Sequence, residues 1–350
     1  MGDADFSTLT NSASKTYLSC GAKYRFAYDL QLKPPGERAP ALRFGSAWHA
    51  LMEASRHLIM RGVGYDEAHT LMKLVVTRIS SLERDLTEQE VGALEGMLEA
   101  YSQRYWVRDQ GKLADRRISE VIKVEHAFDV PLRNPATGRQ SRTFRFMGVI
   151  DGIVRDQLGD MKILETKTTS SIDGAYLEVV QTQIQTWLYT YGGKHHYKEI
   201  SGWIYDVAKK PSIRLRKGED REEYSFRVKQ KSLEPEGSIT IEKEHDQDKV
   251  DEAMATVWRI SEKIREDRRR GFVRNTQACF DWHRPCEFMS ICIGRDIGHD
   301  EDDVAVALGL GYTVKEARHE EWSEEPADIV KWMLDQLDGV HDTEEEEPLL

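Results

Sequence analysis

The stretch GVIDGIVRDQLGDMKILETKT, residues 148–168, holds the side chains best suited to chemistry. β-branched runs flank Leu158-Gly159, and a hairpin turning there sets Asp151 opposite Glu165. Lys167 follows Glu165 by two residues, and the two-residue period of a strand puts both on one face. Paired carboxylates can hold a hard divalent cation that polarises a phosphate and lowers the pKa of water, while a neighbouring lysine orients that water and neutralises developing charge. The trio suits phosphodiester hydrolysis. Glu-x-Lys alone is far more often an ordinary ion pair on a surface hairpin, so other residues must decide.

Two further groups stand out. Gln181, Gln185 and Tyr189 recur every four residues within a helix expected over 173–191, beside the apolar line Leu177, Val180, Ile184 and Leu188 that would pack it on a sheet. Upstream, Gly45-Ser46-Ala47-Trp48-His49 opens a helix, with Glu53 one turn beyond His49; a histidine so placed is by itself more often a core or surface residue than a ligand. The four cysteines form a third group. Cys279, Cys286 and Cys292 fall within fourteen residues and Cys20 lies near the N-terminus, so only a folded chain could unite them. Four thiolates suit either a tetrahedral zinc or a [4Fe–4S] cluster. The C-x2-4-C pair usual in zinc knuckles is missing, although His283 could substitute for a cysteine in a zinc site.

The elements that must position these groups follow from periodicity. Residues 12–30 read as two short helices around Cys20, with Ser12 as N-cap. Three helices, 45–60, 65–86 and 88–106, then form a lobe that precedes any strand. Strands are expected at 121–130, 142–155 and 160–168, the next helix ends at Gly192-Gly193, and a buried strand covers 200–207. The charged segment 209–247 reads as a β-hairpin, and 247–270 as a long helix. An amphipathic helix is expected at 327–337, ahead of a disordered end.

The net charge of −12 is unevenly spread: residues 300–350 carry seventeen acidic against three basic residues, a net of −14, which leaves the rest at +2. A near-neutral body can bind a phosphate backbone through local clusters, here Lys209, Lys210, Arg214, Arg216 and Lys217, and Arg265 with Arg268–Arg270. Trp48, Tyr189 and Trp203 are candidates for stacking on bases, with core packing the competing role. No long apolar run or leader pattern occurs, which predicts a soluble cytoplasmic protein with no membrane association.

In order, Gly45–His49, Gly148–Asp151, Glu165–Lys167 and Gln185–Tyr189 resemble the GxxxH, GxxD, ExK and QxxxY motifs of the RecB-like branch of the PD-(D/E)XK nucleases, with Ile150 at the position of the name-giving proline. The resemblance implies a restriction-endonuclease-like α/β fold, a mixed sheet flanked by helices. It implies that His49, Asp151, Glu165 and the Thr166 carbonyl hold Mg²⁺ or Mn²⁺, that Lys167 is catalytic, and that Gln185 and Tyr189 contact DNA or order the site. The cysteine pattern resembles the iron–sulfur exonucleases of that branch, which include the AddB nuclease domain and CRISPR-associated exonucleases. It implies that Cys20, Cys279, Cys286 and Cys292 hold a [4Fe–4S] cluster stapling the two ends of the domain. The domains read as a nuclease over 1–298, with a helical insertion at about 50–110 and an iron–sulfur segment at 271–298, followed by an acidic extension, 299–350.

The activity so implied is a metal-dependent DNA exonuclease in recombination, repair or phage DNA processing. No G-x-x-x-x-G-K-[ST] occurs, so unwinding would need a helicase partner. The competing readings are a non-catalytic DNA-end-binding module of a larger complex and a structure-specific endonuclease.

Overall fold

The alternating β-branched runs beyond Arg117 build the central sheet. The computed structural model describes residues 6–36, 40–82, 86–281, 284–293, 302–315 and 327–344. The chain opens with β1 (Ser7–Leu9), α1 (Asn11–Ser19), α2 (Gly21–Tyr24), a π-helical turn and β2 (Leu32–Lys33), then α3 (Pro40–Met60), α4 (Tyr65–Leu82) and α5 (Glu88–Tyr105). Strands β3 (Trp106–Asp109), β4 (Lys112–Asp115), β5 (Ile118–Arg133), β6 (Gln140–Asp156) and β7 (Met161–Thr169) follow. After them come α6 (Gly174–Thr182), α7 (Gln185–His196), β8 (Gly202–Lys209), α8 (Arg221–Ser232), β9 (Ser238–Glu244) and α9 (Gln247–Arg270). The short pieces β10 (Phe280–Asp281), β11 (Arg284–Pro285), α10 (Met289–Cys292), α11 (Asp302–Gly309) and β12 (Thr313–Val314) precede α12 (Asp328–Glu344).

The main sheet is mixed, with order β1-β6-β7-β8-β9 and β5 on the other edge of β6. β6 is long enough to pair antiparallel with β5 while its other edge takes β1 in parallel at Phe144–Phe146 and β7 antiparallel at Gly152–Arg155. β7 then runs parallel to β8. One core unites Ile150, Ile153, Ile163, Trp203 and Val207 of the sheet with Leu188 of α7 and Val257 and Ile264 of α9. A second is almost wholly helical, built from α3, α4, α5, α8 and α12.

Several sequence expectations are corrected. A strand does precede the helical lobe: β1 completes an edge of β6 before α1 begins. Thr10, not Ser12, caps α1, its Oγ1 accepting the Ala13 N–H at 2.9 Å. The helix expected over 173–191 is two helices broken at Gln183-Ile184, so Gln181 leaves the stripe shared by Gln185 and Tyr189. Gly192-Gly193 do not end α7, which runs on to His196. Their role is close approach: a Cβ would lie 2.4 Å from Phe128 at Gly192 and 2.8 Å from Ile200 at Gly193, so small size there lets α7 settle on the sheet. The hairpin expected over 209–247 is helix α8 followed by strand β9. Tyr224 and Val228, four apart, are buried against α5, and the fit depends on Gly96, whose Cβ would meet the Ser225 carbonyl at 2.3 Å.

The C-terminal helix is longer than the apolar spacing over 327–337 predicts, and it is docked rather than free. Ile329, Val330, Met333, Leu334 and Leu337 join the helical core, and Trp332 lies under the Arg78 guanidinium at 5.5 Å. Residues 345–350 and His283 lie outside the described residues. Trp48 and Trp203 are 0% and 2% exposed, so both are core residues and neither can stack on a base. Among the described residues, no helix is long and apolar enough to cross a membrane.

Candidate active site

The β6–β7 ladder has the register expected of a turn at Leu158-Gly159. Its backbone pairs run from Arg155–Met161 to Gly152–Leu164 and stop one step short of Asp151 and Glu165. There the side chains take over, and Asp151 Oδ2 accepts the Thr166 N–H at 2.7 Å. Glu165 Oε1 accepts both the Lys167 ammonium and Gln185 Nε2, the latter at 2.7 Å. Glu165 Oε2 is buried with no hydrogen-bond partner. From α3, His49 Nδ1 lies 3.5 Å from Asp151 Oδ2. The Tyr189 ring packs edge-on to Phe128 at 5.8 Å, its hydroxyl beside Gln185. Gly148 makes that approach feasible, because a Cβ there would lie 2.7 Å from Phe128 and 3.0 Å from Tyr189. His49, Asp151, Glu165, Thr166, Lys167, Gln185 and Tyr189 thus meet at one end of β7.

The electrostatics follow from burial and mutual charge. Burial, then the Asp151 charge, pushes Glu165 up to about 7, against the opposing pull of Lys167. Burial works to raise Asp151 too, but His49, Lys167, Arg56 and the Thr166 N–H hold it below the usual carboxylate range. Burial disfavours the Lys167 charge, yet Glu165 and Asp151 override that and hold the ammonium above the usual lysine range. His49 is lowered, burial outweighing the opposing pull of Asp151. One acid is firmly ionised and the other titrates near neutrality, which divides their roles by environment.

Three neighbours escaped sequence reasoning. Arg56, two turns beyond His49 on α3, donates to the Asp151 carbonyl at 3.3 Å and to Thr166 Oγ1. Glu125 sits in β5 between the paired residues Val124–Gly152 and His126–Ile150, across from Asp151, with a left-handed φ of 46°. Burial, Asp151 and Glu53 push it up to about 9. Lys15 of α1 is lowered by burial and by the charge of Lys167. The one signal available for Glu125 was an acid inside a strand of apolar alternation; Lys15 and Arg56 carried none, because only the fold brings α1 and α3 to β7.

Among the described residues, no three His, Cys, Asp or Glu side chains stand together as a set ready for one metal ion. At β7, Lys167 and Gln185 both donate to Glu165 Oε1. The donors nevertheless suit a hard cation, since Asp151, the orphaned Glu165 Oε2 and the Thr166 carbonyl supply oxygen and His49 one nitrogen.

All four cysteines line one cavity of about 200 Å³, with Phe26, Ala278, Phe288 and Ile293 among its walls. Asn275 N–H points to Cys20 Sγ at 3.4 Å, and Cys286 N–H bonds the Cys279 carbonyl at 2.8 Å. Burial pushes the Cys286 and Cys292 thiols up, so as they stand both are protonated. The two ends also meet directly: Ala22 N–H bonds the Val273 carbonyl at 3.1 Å, Tyr17 bonds Asp267 at 2.7 Å, and Arg268 forks onto Asp29. Arg268 is therefore a structural clamp rather than a free DNA contact. Of the other basic stretch, Lys210 is drawn onto Glu90 and Phe44, whereas Arg214, Arg216 and Lys217 are exposed.

None of the curated proteins matches the chain. Among solved structures, one titled "Crystal structure of SSO0001" is similar at 15% identity, covering 70% of this chain and 85% of its own, with a TM-score of 0.28 that is too low to argue from. The model of the PD-(D/E)XK nuclease superfamily matches residues 8–293, a span that holds the whole β7 site and all four cysteines. The chain belongs to the PD-(D/E)XK nuclease superfamily.

Proposed function

We propose that this chain is a divalent-metal-dependent DNA exonuclease that hydrolyses phosphodiester bonds at DNA ends. Membership of the superfamily implies a metal-dependent nuclease. The observation that carries the reading is the convergence of Asp151, Glu165 and Lys167 on one end of β7, with Asp151 held ionised, Glu165 poised near neutrality and Lys167 raised by both acids. Asp151, Glu165, His49 and the Thr166 carbonyl would hold Mg²⁺ or Mn²⁺, which supplies Lewis-acid polarisation of a phosphate and a lowered pKa for water.

The chain's own residues do the rest. Lys167, held as an ammonium in the metal-free site, is placed to stabilise charge on the phosphate and to orient water. Gln185 fixes the Glu165 rotamer, and Tyr189 fixes Gln185 in turn. Exposed Lys15 lies beside Lys167 and is placed to receive the substrate phosphate, while Arg214, Arg216 and Lys217 extend the cationic track along the chain that leaves β8.

We also infer that Cys20, Cys279, Cys286 and Cys292 bind a [4Fe–4S] cluster. Four thiols around one cavity of about 200 Å³ leave room for a bulky cluster. Its work is structural, fastening α2 to α10. The test of the activity is incubation with end-labelled linear and with circular DNA, with and without divalent metal. Progressive loss from linear ends supports the reading. Discrete cuts in circular DNA would replace it with an endonuclease, and metal-dependent binding with no cleavage would replace it with an end-binding module.

A further inference from the structure

Where the β6–β7 ladder ends, something other than backbone pairing must hold the two strands, because the last backbone pair is Gly152–Leu164 and the acids lie just beyond it. Arg56 stands at that point. Its side chain is 4% exposed, and its two terminal nitrogens reach different strands, the Asp151 carbonyl on β6 and the Thr166 hydroxyl on β7. The Thr166 N–H meanwhile bonds the Asp151 carboxylate at 2.7 Å. The planar guanidinium fork and that one N–H together replace the missing rungs of the ladder.

We propose that Arg56 is the positioning residue of the cation site, setting the separation of the Asp151 carboxylate from the Thr166 carbonyl. This rests on the nuclease reading, since it concerns the same site. The helix that carries Arg56 is itself tightly seated: Glu53, between His49 and Arg56 on the same face of α3, accepts the Ala327 N–H at 3.1 Å, and α12 packs on α3 and α4. The stripe His49, Glu53, Arg56 therefore arrives at β6 and β7 as one rigid unit.

Two roles for a buried guanidinium beside a cation site make opposite predictions. As a mere positive charge it repels the metal, and its removal should strengthen binding. As a positioning fork it keeps the donors apart at the required distance, and its removal should weaken binding even though repulsion is relieved. Lysine separates charge from geometry, because it retains the charge and lacks the fork.

The experiment titrates Mn²⁺ calorimetrically, without DNA, into the full-length wild-type chain and into Arg56→Met, Arg56→Lys and Thr166→Val, with a thermal melt of each. Arg56→Met and Arg56→Lys should each bind Mn²⁺ about 10-fold or more weakly, in the range that lost outer-shell contacts cost a metal site. Thr166→Val, which removes one acceptor and leaves the guanidinium, should fall between them and the wild type. Affinity unchanged or raised in Arg56→Met, or restored in Arg56→Lys, overturns the proposal. Should the Arg56 variants melt below the working temperature, Thr166→Val decides it: wild-type affinity there overturns it. A wild-type chain that binds no Mn²⁺ overturns the nuclease reading instead, so the two failures are distinguishable.

Discussion

The end of β7 and the cysteine cavity are both candidate inorganic sites, and they are prepared in opposite ways. At β7 nearly every polar atom has a protein partner: Glu165 takes Lys167 and Gln185, Asp151 takes the Thr166 N–H, and Arg56 bridges the strands. At the cysteine end the thiols face an apolar hollow, and among the described residues Cys20 alone receives a backbone N–H from the opposite end of the chain. A site that must bind, release and turn over is held in shape by the protein. A site that holds its group permanently can leave part of its own cohesion to that group.

The largest expected effect lies on the β7 side. Lys167→Ala should lower the cleavage rate about 10²- to 10³-fold, the usual cost of losing one pre-set charge at a reacting centre. DNA affinity in Ca²⁺ and the melting temperature should change little, because β7 keeps its backbone pairs to β8 from Lys162 to Thr169. Cleavage at the wild-type rate would remove Lys167 from the chemistry.

Cys20→Ser probes the other side of the comparison. It should bleach a brown, anaerobically purified protein carrying about four irons per chain and lower stability by roughly 3 kcal/mol, the scale of a long-range cross-link. The Ala22–Val273, Tyr17–Asp267 and Arg268–Asp29 contacts should keep the ends associated, so limited proteolysis should open them slowly rather than at once. A colourless wild-type protein with stoichiometric zinc would replace the cluster and leave the β7 argument intact.

A third variant asks how far the preparation of the β7 site extends. Met333, 0% exposed in α12, helps seat the helix that follows Ala327, whose N–H meets Glu53. Met333→Ala should cost about 2–3 kcal/mol by cavity formation. Unlike Cys20→Ser it should leave iron content unchanged. Loss of iron in Met333→Ala would mean that the two ends unfold together, and the contrast between the sites would then not extend to their stability.

What the sequence disclosed follows the reach of each physical signal. Strand alternation placed β5, β6 and β7, and the turn at Leu158-Gly159 gave the register that brings Asp151 to Glu165. Short-range periodicity also gave α5 and α9 to within a residue. It failed where a tertiary contact decided the outcome. The Gly192-Gly193 pair looks like a stop until Phe128 and Ile200 are seen to need the space. Segment 209–247 looks like a hairpin because α8 has only Tyr224 and Val228 to mark its apolar face, and its partner surface is the pair of glycines on α5. Arg56, Glu125 and Lys15 were invisible for the same reason: each acquires its meaning from a strand or helix distant in sequence.

The smallest effect, and the one that sharpens the comparison most, is the pH dependence of stability without metal. Glu165 and Glu53 are raised to about 7 and Glu125 to about 9, in each case chiefly by burial. In the unfolded chain these carboxyls titrate near 4.3, so between that value and neutrality the folded state binds more protons than the unfolded one. Stability from these groups is therefore full at low pH and is lost as pH rises through 7 and then 9, the reverse of the usual salt-bridged carboxylate. The slope cannot exceed about 1.4 kcal/mol per pH unit for each proton involved. Metal-free protein should accordingly melt at a lower temperature at pH 8 than at pH 6, and Glu165→Gln should flatten the decline. Mn²⁺ should flatten it as well, because a cation stabilises the ionised acid that burial penalises. With iron removed, the raised Cys286 and Cys292 thiols stay protonated across that range and add little to the decline. A melting temperature that rises between pH 6 and 8 in chelator would show that Lys167 and Arg56 already hold the β7 acids ionised without a metal.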